Sequence, residues 1–146
     1  MVSWRPSSVA LLVVALGFAL LHHSSAQNSP ANYLRPHNAA RAAVGVEPLT
    51  WDPTLQEYAQ NYAEERAGDC DLDAVQSWVN EEQYYDYDSN SCQEGKVCGH
   101  YTQVVWRNTE RVGCGRVRCD SGAYFIVCSY DPRGNWEGEW PYRFSS

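Results

Sequence analysis

Residues 112–130 read VGCGRVRCDSGAYFIVCSY, and the pattern is that of a β-hairpin. Two apolar-rich runs, Val112 to Cys119 and Ala123 to Tyr130, flank Asp120-Ser121-Gly122. A three-residue loop with glycine last suits a hairpin whose final loop residue is left-handed. Centring the register on Ser121 sets Cys114 opposite Cys128 and predicts a bridge between them. Side chains alternate faces along a strand, so Cys119 lies on the face opposite Cys114 and pairs elsewhere. Cys92 and Cys98 bracket a short polar loop and pair locally. Elimination then leaves Cys70 for Cys119, a bridge that would tie the end of the helix before it to the sheet.

Upstream of the hairpin the punctuation is helical. Ser29-Pro30 opens a helix, Pro36 is expected to kink or restart it, and Gly45 ends it. Asp52 caps a second helix with Pro53 in its first turn. Leu55, Tyr58, Ala59, Tyr62 and Ala63 form its apolar stripe, and Gly68 stops the run. A third helix starts at Asp73 with Gln76 completing a capping-box spacing. Its stripe is Val75, Trp78, Val79 and Tyr85. Periodicity alone makes Thr102 to Trp106 a strand.

The chain has 146 residues and a formal charge of −7. Residues 1–26 read as a secretory signal peptide: Arg5 first, then the apolar run Val9 to Leu21, then the small residues Ser24-Ser25-Ala26 before the cut. The run is too short for a spanning helix, and no later segment resembles one. What remains, 27–146, is one domain. All six cysteines follow the cut, in a compartment that permits disulfides, so three bridges are expected. An acidic chain without a basic stripe is a poor partner for nucleic acid. Ten of the 18 acidic residues lie between Glu64 and Glu94, against Arg66 alone. That run reads as a solvated acidic face, because its spacing does not fit a calcium loop.

Five stretches carry a family resemblance: HNAARAAVGVEPLTWD (37–52), LQEYAQNYAEERAGDC (55–70), AVQSWVNEEQYYDYDSNSC (74–92), CGHYTQVVWRNTERVGCGRVRC (98–119) and YFIVCSYDPRGN (124–135). Together they resemble plant pathogenesis-related class 1 proteins of the CAP superfamily, the cysteine-rich secretory, antigen five and pathogenesis-related proteins. The resemblance implies an α+β fold, an α-β-α sandwich around a small antiparallel sheet. It implies the same three bridges, Cys70–Cys119, Cys92–Cys98 and Cys114–Cys128. It places HYTQVVW in a short helix rather than a strand. It also implies that one sheet element is missing, because Cys70-Asp71-Leu72 runs straight into Asp73-Ala74-Val75 where the family carries a further segment.

That segment normally supplies two of four cavity side chains, two histidines and two glutamates. Only His100 and Glu81 match in this chain. Zinc is conceivable for the family. Here the remaining histidine of 27–146, His37, reads as a helix residue held by local hydrogen bonds, so no metal site and no cofactor are expected. No serine sits in a nucleophile-elbow pattern, and Glu81 with His100 has no oxyanion or nucleophile partner for acid–base work, so no enzyme is expected.

The resemblance implies a secreted, apoplastic, monomeric plant defence protein that binds sterol or another lipid and acts against microbes. Tyr84, Tyr85 and Tyr87 form its candidate sterol loop, since tyrosine offers both an apolar ring face and a hydroxyl. A second reading makes residues 132–142 a signalling peptide released between Asp131 and Pro132, with a receptor as partner. Its structural counterpart is a tail whose Trp136 and Trp140 pack on the sandwich. A third reading is a truncated or mis-spliced family member with impaired function.

Overall fold

The computed structural model describes residues 28–68 and 75–143. The leader, the start of the third helix at Asp73, Cys70 and the junction at Leu72-Asp73 lie outside the described residues. No helix among them is long and apolar enough to cross a membrane.

Helix α1 spans Pro30–Ala43, with Ser29 at its N-cap. Pro36 neither ends nor restarts it. Proline removes one N–H and crowds the carbonyl four residues back. The helix nonetheless runs on, because Tyr33, His37 and Arg41 recur every fourth residue and all three are buried. Gly45 closes it at φ 71°. The Gly45 N–H donates to the Ala42 carbonyl and the Val46 N–H to that of Arg41, the paired C-terminal bonds that left-handed glycine permits.

Strand β1 (Thr50–Trp51) leads into α2 (Pro53–Glu65). The Asp52 carboxylate accepts from the N–H groups of Thr54 and Leu55, as its cap position requires. The expected stripe is only half right. Ala59 and Ala63 are buried, but Tyr58 is 69% exposed. The reason lies in strand β4 (Arg111–Arg118). A Cβ added to Gly113 would stand 2.0 Å from the Gln56 nitrogen, and one at Gly115 2.5 Å from the Gln60 Cα. Backbone packs against backbone, so alanines rather than tyrosines make the contact.

Helix α3 (Val75–Asn80) passes into a 3₁₀ turn at Glu81–Tyr84. Val75 and Trp78 are buried as expected. Tyr85 is not helical: it belongs to β2 (Tyr85–Asp86), which pairs with β3 (Ser91–Cys92) in a short ribbon. The Cys92–Cys98 bridge staples this loop. Helix α4 (Gly99–Val104) is the short helix that the resemblance implied.

The hairpin of β4 and β5 (Tyr124–Asp131) has the expected register, with Cys114 opposite Cys128 and the two bridged. Gly122 has φ 88°. Cys119 is disulfide-bonded; its expected partner, Cys70, is outside the described residues. The sheet order is β1-β4-β5, with β1 parallel and β5 antiparallel to β4. Helix α2 covers one face, against the glycines of β4. On the other face α1, α3 and α4 enclose a core of Tyr33, Leu49, Trp78, Tyr101, Val104 and Val112. The architecture is an α-β-α sandwich.

Arg41 locks the helical layer. It is fully buried, and its guanidinium donates to four carbonyls: Glu47 at 2.6 Å, Val104 at 3.0 Å, Trp106 at 2.8 Å and Thr109 at 2.8 Å. His37 is also fully buried. Its Nδ1 meets the Tyr33 carbonyl at 2.8 Å, the expected local bond. Its Nε2 meets the Tyr130 hydroxyl at 2.8 Å, a bond across layers that helix periodicity could not show. Burial lowers the His37 pKa to about 4, so the ring is neutral and donates from Nδ1.

Candidate functional site

The expected cavity pair comes together. Glu81, in the 3₁₀ turn, holds its Oε1 2.6 Å from His100 Nδ1. Its Oε2 accepts the backbone N–H groups of His100 and Tyr101, at 3.1 and 3.2 Å. The Cys98 side chain makes no cap bond at the start of α4, so Glu81 does that work from a distant turn. Trp78 stacks on the imidazole, with centroids 5.6 Å apart and planes at 14°. Trp78 and His100 border a cavity of about 350 Å³, whose other wall is Phe125 to Cys128 on β5, with Tyr62 of α2 across it. Chemically the pair offers one imidazole nitrogen and one carboxylate already engaged by three donors. Among the described residues no three His, Cys, Asp or Glu side chains gather to hold a metal ion. The donor set does not fit zinc, which takes at least three protein ligands.

The three loop tyrosines diverge. Tyr84 lies beneath the Lys96 ammonium, 4.7 Å from its ring centroid. Tyr87 stacks on Tyr142 at 4.9 Å and donates to the Tyr142 carbonyl. Tyr85 donates to Asn90 Oδ1 at 2.7 Å and tilts against Tyr101. Burial, followed by the nearby Tyr142, Tyr87 and Asp86, pushes its pKa up to about 12, so the hydroxyl keeps its proton. Of the three, Tyr85 alone borders a second hollow, of about 310 Å³, with Trp106, Trp136 and Pro141 around it and the Cys92–Cys98 bridge beside it. Trp106 and Trp136 are the residues that sequence reasoning missed. Nothing local in the sequence joins Tyr85 to Trp106, or to Trp136 in the tail; only the folded path of the chain does.

That path is well anchored, in part by an expected residue: the Trp140 indole donates to the Tyr87 carbonyl at 2.8 Å. Trp136 and Trp140 are 48% and 45% exposed, whereas Pro141 and Tyr142 are buried. The Arg107 N–H donates to the Pro141 carbonyl at 2.7 Å. Asn135 bonds both the Thr102 hydroxyl and the Gly99 carbonyl, each at 2.7 Å. Gly134 lies flat on the Trp106 ring, where a Cβ would stand 2.4 Å from Cγ. Asp131 ends β5, and its carbonyl accepts from the Glu110 N–H.

The sequence matches the profile of the cysteine-rich secretory protein family, CAP, over residues 34–73 and 71–130. The chain belongs to this family. Among CAP relatives, pathogenesis-related protein 1A of Nicotiana tabacum is 49% identical over 162 residues, covering 96% of either chain. Pathogenesis-related leaf protein 4 of Solanum lycopersicum is 52% identical over 151 residues, covering 90% of this chain and 95% of its own. Both alignments are longer than the 146 residues present here, so each relative carries positions without a counterpart. The two halves of the family match meet at residues 71–73.

Solved structures agree on the CAP fold. Venom allergen-like protein 4 of Schistosoma mansoni superposes with a TM-score of 0.65 at 24% identity, over 79% of this chain and 94% of its own. NaASP2, solved with Zn²⁺, gives 0.55 at 20% identity, over 77% and 84%.

Proposed function

We propose that this CAP protein is a secreted, non-enzymatic plant defence protein that takes up sterol or a similar flat lipid in the hollow beside Tyr85. The observation that carries the defence reading is identity of about half with tobacco and tomato pathogenesis-related proteins over nearly the whole chain. The observation that favours a flat apolar ligand is the hollow itself. At about 310 Å³, with Tyr85, Trp106 and Trp136 on its border, it falls within the range of small-molecule sites. Aromatic faces suit a fused ring system, and the protonated Tyr85 hydroxyl and the Asn90 amide offer bonds to a sterol hydroxyl. Withdrawal of sterol from a pathogen membrane would then inhibit growth. The test is growth of a sterol-dependent pathogen in the purified protein. Inhibition should be relieved by added sterol; inhibition that persists unchanged in excess sterol overturns the reading.

A second reading rests on a different observation. From Pro132 to Arg143 the chain has no regular secondary structure and keeps two half-exposed tryptophans. This supports residues 132–142 as a peptide released after Asp131 and read by a receptor. Mass spectrometry of apoplastic fluid after infection should find a fragment starting at Pro132; its absence counts against release. A shortened transcript is a separate question. Continuous reads across the Leu72 and Asp73 codons would establish this form, and reads carrying an insert would make it a splicing variant.

A further inference from the structure

The tail forms one side of the hollow beside Tyr85. Asn135, Trp136, Gly138, Glu139 and Pro141 border it from the tail, whereas Tyr85, Trp106 and the Cys92–Cys98 bridge belong to the body of the fold. A molecule that fills this hollow therefore touches both parts at once.

The tail segment is fixed at its two ends. At the start, Gln103 Oε1 accepts the Gly134 N–H at 2.8 Å, and Asn135 bonds Thr102 and Gly99. At the end, the Asn90 amide donates to the Glu139 carbonyl at 3.0 Å, the Trp140 indole to the Tyr87 carbonyl, and the Arg107 N–H to the Pro141 carbonyl. Between these points Trp136 bonds only within the tail: its indole donates to the Arg133 carbonyl at 3.2 Å, and its carbonyl accepts the Glu139 N–H at 3.1 Å. The segment is a strap, and its middle carries Trp136 and Gly138 to the hollow.

All of these anchors lie beyond Asp131. A cut between Asp131 and Pro132 leaves them intact, together with the buried Tyr142 and its stack on Tyr87. Cutting and release are thus separate steps, and release is the undocking of the strap. Undocking also uncovers Trp106, which is 3% exposed beneath Gly134, and it removes one side of the hollow. A ligand seated there keeps its contacts in the docked form and loses those with the strap in the undocked one.

We infer that the ligand of this hollow governs release of the tail: a filled hollow keeps residues 134–142 docked, and an empty one lets them leave. The inference rests on the reading that the hollow takes a flat lipid, and it joins that reading to the peptide reading in one equilibrium. A ligand confined to the docked form lowers the undocked population by the factor 1 + [L]/Kd, about tenfold at ten times Kd. Conversely, a chain that is mostly undocked binds the ligand more weakly, in proportion to its docked fraction.

The test follows amide hydrogen exchange in the full, disulfide-bonded chain with added dehydroergosterol, whose own binding is measured by energy transfer from tryptophan. The Arg107 N–H reports docking, because its acceptor is the Pro141 carbonyl. The Cys119 N–H, bonded to the Ala123 carbonyl at the far end of the hairpin, is the control. Sterol at ten times Kd should slow Arg107 exchange about tenfold and leave Cys119 unchanged. Gln103→Ala removes the Gly134 acceptor without bordering the hollow; it should speed Arg107 exchange, and sterol should slow it again. Tyr142→Ala removes the buried ring, which does not border the hollow either, and should weaken sterol binding at least tenfold. If Tyr142→Ala does not fold, wild type and Gln103→Ala decide alone. Sterol binding that leaves Arg107 exchange unchanged, or that slows Cys119 equally, overturns this inference and spares the reading of the hollow. Wild-type affinity in Tyr142→Ala with its Arg107 amide unprotected does the same. Absence of saturable sterol binding overturns both.

Discussion

Glu81 grips His100 twice: one carboxylate oxygen lies 2.6 Å from the imidazole Nδ1, and the other accepts the His100 backbone N–H at 3.1 Å. The second oxygen also takes the Tyr101 N–H, so the carboxylate caps α4 and orients the ring. The imidazole is about half exposed, so its own bond contributes less than the cap. Glu81→Ala should cost about 1–2 kcal/mol and His100→Ala less than half of that, measured by urea unfolding. Equal losses would place the stabilisation in the ion pair instead.

His37 makes the fold sensitive to acid. Its pKa is about 4 in the fold, against about 6.5 when unfolded. The unfolded state therefore binds more protons between these values. Stability is complete above about 6.5 and falls as pH drops toward 4, by up to about 3 kcal/mol. Urea midpoints from pH 7.5 down to 4.5 should show the decline, and His37→Gln should flatten it. A His37 resonance titrating near 6.5 in the native protein would contradict this.

Arg41 is not replaceable by lysine. Its planar fork serves four carbonyls in a fully buried site, and an ammonium has neither the geometry nor the reach. Arg41→Lys should destabilise by about 3 kcal/mol or more, with a thermal midpoint close to that of Arg41→Ala. A midpoint near wild type for the lysine variant would show that charge alone suffices.

Gly115 marks where α2 touches the sheet. An added methyl meets the Gln60 backbone at about 2.5 Å, and a helix backbone cannot shift locally without moving Ala59 and Ala63. Gly115→Ala should cost about 3 kcal/mol, while Gly95→Ala, with open space around its Cβ but a φ of 72°, should cost about 1 kcal/mol. Thermal melts of the two variants give the comparison.

What could be read from the sequence is what one segment encodes by itself. The hairpin register followed from the Asp120-Ser121-Gly122 loop, and the Asp52 cap and the Gly45 terminator from residue chemistry. Relations between segments were out of reach. Tyr58 looked like a core residue because helix period cannot show that a glycine strand would draw the helix backbone in. Pro36 looked like a kink or restart because the anchors Tyr33, His37 and Arg41 meet their partners only in the folded layers. At the site, Glu81 with His100 was legible through the family motif, whereas Trp106 and Trp136 joined Tyr85 only through the folded path of the chain. Tyr84 and Tyr87, one and two residues from Tyr85 in sequence, face elsewhere because each has its own partner in Lys96 or Tyr142.

The most direct measurement of the central claim is titration of the purified protein with a fluorescent sterol, dehydroergosterol, followed by energy transfer from tryptophan. Saturable binding is predicted. Trp136→Ala and Tyr85→Leu should weaken it at least tenfold with the thermal midpoint nearly kept, while Tyr84→Ala should bind as wild type does. Absence of saturable binding, or equal affinity in the Trp136 and Tyr85 variants, would contradict the account.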